Sequence, residues 1–132
     1  MTDIEQLRKN LEGIHVLYVE DEDYVREVTL DFLEEIFSHV DSACNGQEGL
    51  ELFKKGAYQL VISDLKMPKM GGREMLEKIR AINDRTALMA MTASDSDEDA
   101  SQTVSDAFMR KPVELVEFLE TLESIQEKIL TA

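Results

Sequence analysis

One stretch of the sequence, residues 59–68, constrains the fold more than any other. It begins with an apolar run at residues 60–62, and such a run is typical of a strand buried on both faces of a parallel sheet. Asp64 follows the run, and Pro68 comes soon after it, so this aspartate is predicted to lie where the strand becomes a loop. Because open parallel sheets bind their ligands at the carboxyl edge, Asp64 is a candidate site residue.

A second apolar run, at residues 16–19, also ends on acidic residues, Glu20 and Asp21. If the two strands are neighbours, Glu20, Asp21 and Asp64 meet at one edge of the sheet. Carboxylates this close repel one another unless a cation lies among them. Hard oxygen ligands suit Mg²⁺, so the sequence predicts a magnesium site of the kind used in phosphoryl chemistry.

The composition predicts one compact domain and argues against two classes of partner. The chain has 132 residues, of which 43% are hydrophobic, and this is enough for a core. A net charge of −14 argues against direct binding to nucleic acid or to anionic membranes. Cys44 is the single cysteine and fits a reducing compartment. With neither a signal peptide nor an apolar run of about 20 residues, we expect a cytoplasmic protein.

Apolar periodicity predicts alternating helices and strands. The strands are predicted near residues 14–19, 39–43, 60–64, 87–91 and 107–109. The helices are predicted at residues 2–11, 23–36, 47–54, 71–82 and 95–104, with a last one after residue 112. This alternation implies a parallel sheet covered by helices on both faces. Residues 1–13 are interpreted as a short extra N-terminal helix and residues 14–130 as the main domain.

Three of these helices have apolar stripes that predict their buried faces. The stripes comprise Val25, Val28, Thr29, Phe32, Leu33 and Ile36 in the first, Met75, Leu76, Ile79 and Ile82 in the second, and Val116, Leu119, Leu122 and Ile125 in the last. The acidic helix at residues 95–104 has the weakest stripe and is predicted to be the easiest to displace. His15 and His39 have no partner spacing and are interpreted as structural.

Further polar residues follow the remaining strands of the predicted sheet. Thr92 ends the fourth strand and Lys111 follows the fifth. Together with the carboxylates, they supply a cation site, a nucleophile, a hydroxyl donor and an ammonium group. This combination favours transfer of a phosphoryl group onto Asp64.

At this point the sequence resembles the receiver domain of two-component response regulators, the CheY-like family, over roughly residues 13–130. The resemblance rests on five segments in the same order as in the family: residues 19–21, 63–64, 67–72, 91–93 and 110–112. It implies a flavodoxin-like, doubly wound α/β fold with five parallel strands in the order 2-1-3-4-5. It also implies a cis peptide bond between Lys111 and Pro112.

The resemblance implies that Asp64 is the phosphoacceptor of a signalling switch. The donor would be the phosphohistidine of a sensor histidine kinase or of a histidine phosphotransfer protein. Glu20, Asp21, Asp64 and the backbone carbonyl of Lys66 would hold Mg²⁺, for which Mn²⁺ could substitute. The chain would not be a conventional enzyme, although it would catalyse its own phosphorylation and dephosphorylation at Asp64.

The resemblance also implies how the signal leaves the domain. Thr92 and Lys111 would contact the phosphoryl group, and Thr92 and Phe108 would form the switch. The surface around residues 95–130 would then change for a downstream protein. The chain departs from the common family pattern at three places: Glu20 stands in place of a more frequent Asp, and Phe108 in place of a frequent Tyr. Val104 and Ser105 replace a Gly-Ala pair that is common before the fifth strand.

Two other functions compete with this reading. A Mg²⁺-dependent aspartyl phosphatase or phosphotransferase for small molecules would commonly carry a second Asp two residues after the nucleophile, where this chain has Lys66. A degenerate receiver that serves only as a binding module is disfavoured by the intact set of Asp21, Asp64, Thr92 and Lys111.

Overall fold

The fold is a five-stranded parallel sheet with helices on both faces. The structure is a computed structural model and describes residues 3–67, 69–93 and 104–132. The strands are β1 (His15–Val19), β2 (His39–Ala43), β3 (Leu60–Asp64), β4 (Ala87–Thr92) and β5 (Ala107–Arg110). They lie in the order β2-β1-β3-β4-β5, which confirms the predicted doubly wound topology.

Five helices are present in the described part of the chain: α1 (Ile4–Asn10), α2 (Asp23–Glu34), α3 (Gly46–Lys55), α4 (Gly72–Ile82) and α5 (Leu115–Thr131). Side-chain oxygens cap two of them, because Asp3 accepts from the amide of Glu5 and Asn45 from that of Glu48. Glu22 holds the N-cap position of α2 without a side-chain hydrogen bond to the helix. The acidic helix predicted at residues 95–104 falls almost wholly outside the described residues.

The sheet separates two apolar cores, because successive strand residues point to opposite faces. One core contains Val16 and Tyr18 of β1 and packs under α1, α2 and α5. The other contains Leu17 and Val19 and packs under α3 and α4. Every residue of β3 and β4 is buried, which explains why the sequence of these strands is a nearly continuous apolar run.

Three residues of the predicted stripes are exposed instead of buried. Val28 is 51% exposed because it lies five residues before the buried Leu33, about 140° away around the helix. Ile82 and Val116 are 52% and 59% exposed and lie at the last and the second residue of their helices, beyond the cover of the sheet. In the first turn of α5, Phe118 is buried and Val116 is not.

The N-terminal helix packs on the core. Leu7 and Leu11 are buried in the same cluster as residues of α5, and the Asn10 side-chain amide donates to Gln126 at 3.4 Å. None of the described helices is long and apolar enough to cross a bilayer.

Candidate functional site

Parallel pairing brings the carboxyl ends of four strands to one edge. Val19 of β1 pairs with Ser63 of β3, and Asp64 pairs with Met91 of β4. One further backbone bond, from the Lys111 amide to the Thr92 carbonyl at 2.9 Å, extends the β4–β5 pairing beyond the end of β5. The residues after these strands therefore lie around a common cleft.

The cleft contains three acidic side chains that lie close enough to share a metal ion. Glu20, Asp21 and Asp64 each offer a carboxylate oxygen, and these oxygens lie within 4.8 Å of one another. Octahedral Mg²⁺ holds its ligands at about 2.0–2.1 Å, which places two ligand oxygens roughly 3 to 4 Å apart. Small side-chain adjustments would therefore bring these oxygens to a magnesium ion. The donor set, three hard carboxylate oxygens, fits Mg²⁺.

Lys111 joins two of these carboxylates from the other side of the cleft. Its ammonium donates to Oδ2 of Asp64 at 3.0 Å and forms a second hydrogen bond with Oε1 of Glu20. One ammonium against three carboxylates leaves about two negative charges in the cluster. A divalent cation would balance them.

The pKa values of Glu20 and Lys111 are both raised. The raised pKa favours the neutral form of Glu20 and the charged form of Lys111. Burial raises the pKa of Glu20, the charge of Asp64 raises it further, and the hydrogen bond from Lys111 opposes both. Burial by itself lowers the pKa of Lys111, but its hydrogen bonds with Glu20 and Asp64 outweigh that effect and the pKa is raised. Lys111 therefore stays charged near neutral pH.

The cleft has a volume of about 650 Å³ and includes two further residues named from the sequence. Thr92 is buried in its wall, and Lys66 lies at its rim, where the Lys66 amide approaches Oδ1 of Asp64 at 3.5 Å. The structure thus brings together Glu20, Asp21, Asp64, Lys66, Thr92 and Lys111.

Phe108 is the one candidate that does not line this cleft among the described residues. It is half-buried against the core under α3 and α4, and the guanidinium carbon of Arg110 lies 5.8 Å from its ring centroid. The peptide bond between Lys111 and Pro112 is cis, as the resemblance implies.

Two residues that support the site were not singled out from the sequence. Arg26 of α2 donates to the backbone carbonyl of Glu20 at 2.9 Å and pairs with Asp23 at 2.6 Å, so it holds the loop that carries the acidic residues. Gly72 lies against the backbone of Asp64, where an added Cβ would be 1.8 Å from the carbonyl oxygen. The Gly71-Gly72 pair was a visible signal for such a close approach, whereas Arg26 offered none.

Comparison with known proteins gives the same picture. The family model described as "Response regulator receiver domain" matches residues 16–123. The regulatory protein VanRB of Enterococcus faecalis is 36% identical over 116 residues, which cover 86% of this chain and 52% of VanRB. The chain therefore spans about half the length of this curated relative.

Two solved structures are similar over most of the chain. The response regulator protein TrrA of Thermotoga maritima, in complex with Mg²⁺-BeF, is 30% identical with a TM-score of 0.74, over 85% of this chain and 98% of TrrA. The Ssk1 receiver domain of Saccharomyces cerevisiae, crystallised with the histidine phosphotransfer protein Ypd1, is 26% identical with a TM-score of 0.74, over 86% of this chain and 90% of that one. The chain belongs to the family of response regulator receiver domains of two-component systems.

Proposed function

We propose that this receiver domain is a phosphorylation-dependent switch that accepts a phosphoryl group on Asp64 from a phosphohistidine. The observation that carries the proposal is the position of the Lys111 ammonium, which contacts both Asp64 and Glu20 at the edge where Asp21 completes the acidic cluster. A nucleophilic carboxylate, a fixed ammonium and a set of metal ligands are the groups that phosphoryl transfer to an aspartate needs.

In the proposed step, a carboxylate oxygen of Asp64 attacks the phosphorus atom of the phosphohistidine. An O–P bond forms, the P–N bond breaks, and its electron pair returns to the imidazole nitrogen of the donor. Lys111 and Thr92 donate hydrogen bonds to the phosphoryl oxygens, so they stabilise the charge that develops there.

The metal site serves the same step. Glu20, Asp21, Asp64 and the backbone carbonyl of Lys66 would hold Mg²⁺, and Mn²⁺ could take its place. When bound, the ion neutralises charge on the phosphoryl oxygens and orients them. Hydrolysis of the resulting acyl phosphate at the same site returns Asp64 to its carboxylate, so the domain catalyses its own dephosphorylation.

The phosphodonor contacts α2, beside the cleft. Tyr24 and Val28 of this helix are 74% and 51% exposed. They line an apolar groove of about 510 Å³ together with Pro112 and Val113, and Lys111 lines both this groove and the acidic cleft. A donor docked there would present its phosphohistidine to Asp64. The complex of the Ssk1 receiver with Ypd1 supports a histidine phosphotransfer protein as one kind of donor.

The signal leaves through the surface around residues 95–130, of which residues 95–103 lie outside the described part of the chain. Thr92 and Lys111 lie at the ends of β4 and β5, so the phosphoryl group contacts both strands next to this surface. Phe108, half-buried in β5, changes its packing with them and exposes a different surface to a downstream protein.

Two further expectations belong to this proposal. Residues 1–13 are an N-terminal extension and residues 14–130 the receiver domain, and the start of the family match at residue 16 supports this division. The domain works in the cytoplasm, where sensor kinases present their phosphohistidine.

The test is transfer from a histidine phosphotransfer protein that carries a radiolabelled phosphohistidine. We expect the label to move to this chain in the presence of Mg²⁺, to stay on the donor in excess EDTA, and to stay there with Asp64→Asn. Asp84→Asn, an equal change of charge at an exposed position before β4, is the matched control and should still accept the label. Transfer to Asp64→Asn at the wild-type rate would overturn the proposal.

A further inference from the structure

His15 and His39 lie side by side at the amino edge of the sheet. They are the first residues of β1 and β2 and are directly paired in the parallel register. Their rings stack with centroids 4.3 Å apart and planes inclined by 4°. Their spacing in the sequence carries no signal of this contact. The residues are 24 positions apart in sequence, and only the β1–β2 register brings them together.

We propose that His15 and His39 form a binding site for a late first-row divalent metal ion, of the Zn²⁺, Ni²⁺ and Cu²⁺ class. Imidazole nitrogen is a preferred ligand of these ions, whereas Mg²⁺ prefers oxygen. The site is distinct from the acidic cleft. Five residues of extended strand, roughly 16 Å, separate His15 from Glu20.

The strand register places the two side chains close enough to become two ligands of one ion. Zinc binds imidazole nitrogen at about 2.0–2.1 Å, so two nitrogens on a tetrahedral ion lie roughly 3.4 Å apart. In the stacked arrangement the nitrogen lone pairs lie in nearly parallel ring planes, so both rings must rotate about their side-chain torsions before two nitrogens face one ion. Both residues are exposed, so their side-chain torsions have room for this rotation, and water would complete the coordination.

The backbone of the site is held rigidly. The His15 amide donates to Oε1 of Gln59 at 2.7 Å, and the His15 carbonyl accepts from the Gln59 amide at 3.1 Å. His39 is held by its register with β1. A fixed spacing of the two Cα atoms lowers the ordering cost of chelation, because only the side-chain torsions remain to be fixed.

The chain has no other histidine that could bind such an ion. The sequence contains two histidines, and both are in the pair. The one cysteine, Cys44, follows the carboxyl end of β2, five residues from His39, and donates to Glu48 at 3.1 Å. The net charge of −14 attracts cations to the surface in general.

Calorimetric titration with Zn²⁺ in excess Mg²⁺ tests the proposal, because Mg²⁺ occupies the acidic cleft. We expect one zinc ion per chain, and a loss of affinity of at least about tenfold in His15→Gln and in His39→Gln, since loss of a ligand should cost no less than loss of an outer-shell partner. Asp21→Asn and Cys44→Ser are the controls and should bind zinc like the wild type. Phosphorylation of His15→Gln should be unchanged, which separates this site from the proposed switch.

A spectroscopic measurement on the wild-type chain removes any dependence on the folding of a variant. The electron paramagnetic resonance spectrum of the Cu²⁺ complex should show coupling to two imidazole nitrogens. The proposal is overturned by a spectrum without two nitrogen ligands, by unchanged zinc affinity in either histidine variant, or by loss of zinc binding in Asp21→Asn or Cys44→Ser.

Discussion

The ammonium of Lys111 lies 3.0 Å from Oδ2 of Asp64, although 47 positions separate the two residues in the chain. The contact joins the loop after β5 to the end of β3. The same ammonium bonds Glu20, so two of the three clustered carboxylates share one cation within the protein. Asp21 is the third carboxylate. The excess negative charge of the cluster would be relieved either by a bound metal ion or by removal of the Asp21 carboxylate.

Asp21→Ala is therefore expected to weaken Mg²⁺ binding while raising the free energy of unfolding of the metal-free protein. Removing one of three crowded carboxylates relieves their repulsion. The measurement is thermal unfolding with and without Mg²⁺. Asp31→Ala removes the same charge from an exposed position of α2 and should leave the metal-induced shift intact. If the shift in Asp21→Ala equals that of the wild type, Asp21 is not a ligand.

Gly72→Ala is expected to disturb both the fold and the site. The added Cβ would lie 1.8 Å from the carbonyl oxygen of Asp64, so the backbone that positions this proposed phosphoacceptor must move. Overpacking of this kind costs about 1–3 kcal/mol. Gly71→Ala is the matched control, because its Cβ would meet the Leu65 carbonyl oxygen at an ordinary 3.4 Å.

The two glycine variants are compared by urea unfolding and by their rate of phosphorylation. We expect Gly72→Ala to be less stable and slower and Gly71→Ala to be close to wild type. Equal behaviour of the two variants would show that the close approach at Gly72 is not a constraint.

Val28→Glu is expected to slow phosphoryl transfer from a histidine phosphotransfer protein by at least about tenfold, a change worth roughly 1.4 kcal/mol. A charge in the apolar groove disfavours docking of the donor, whereas a small phosphodonor needs no docking surface. Ile82→Glu is the control, since Ile82 is 52% exposed on a different helix. Equal slowing with a small donor would place the defect in the acidic cleft instead.

Asp106 is expected to make the stability of the domain depend on acidic pH. Burial raises the pKa of this carboxyl, but hydrogen bonds from the Leu88 amide, Lys128 and Arg80, each at 2.8–2.9 Å, outweigh it and lower the pKa. A lowered folded-state pKa stabilises the fold above the unfolded-state value, about 3.9 for Asp. This stabilisation is lost as the pH falls through the folded-state pKa.

The measurement compares urea unfolding of the wild type and Asp106→Asn at neutral and acidic pH. We expect the variant to be less stable by roughly 2 kcal/mol at pH 7, the size of a hydrogen bond to a charged group. The difference should shrink below about pH 4. A difference that stays constant across this range would mean that the charge of Asp106 does not contribute.

Much of the fold could be predicted from the sequence, because its strands are short, buried and apolar. Residues 60–62 and 87–91 read as strands because both of their faces are covered, and a parallel sheet then follows from the alternation with helices. The order of the strands was implied by the family resemblance. The exposure of Val28, Ile82 and Val116 could not be predicted in this way. Apolar spacing identifies a stripe, but the extent of the sheet decides which of its residues are covered. That extent is limited around the helix axis at Val28 and along the helix at Ile82 and Val116.

The grouping of the candidate residues was predictable for a similar reason. Glu20, Asp64, Thr92 and Lys111 each come at the end of an apolar strand, so their meeting follows from parallel pairing. Contacts that depend on register or side-chain reach were missed, among them the His15–His39 pair and the bond from Arg26 to the Glu20 carbonyl. Neither leaves a periodic signal in the sequence.

The most direct test of the account is to identify the residue that carries the phosphoryl group. The protein is incubated with Mg²⁺ and a small phosphodonor such as phosphoramidate, reduced with borohydride, digested and analysed by mass spectrometry. Because borohydride reduces an aspartyl phosphate to homoserine, we predict homoserine at position 64 and an unchanged carboxyl at Asp21. Homoserine at another aspartate, with Asp64 unmodified, would contradict the account.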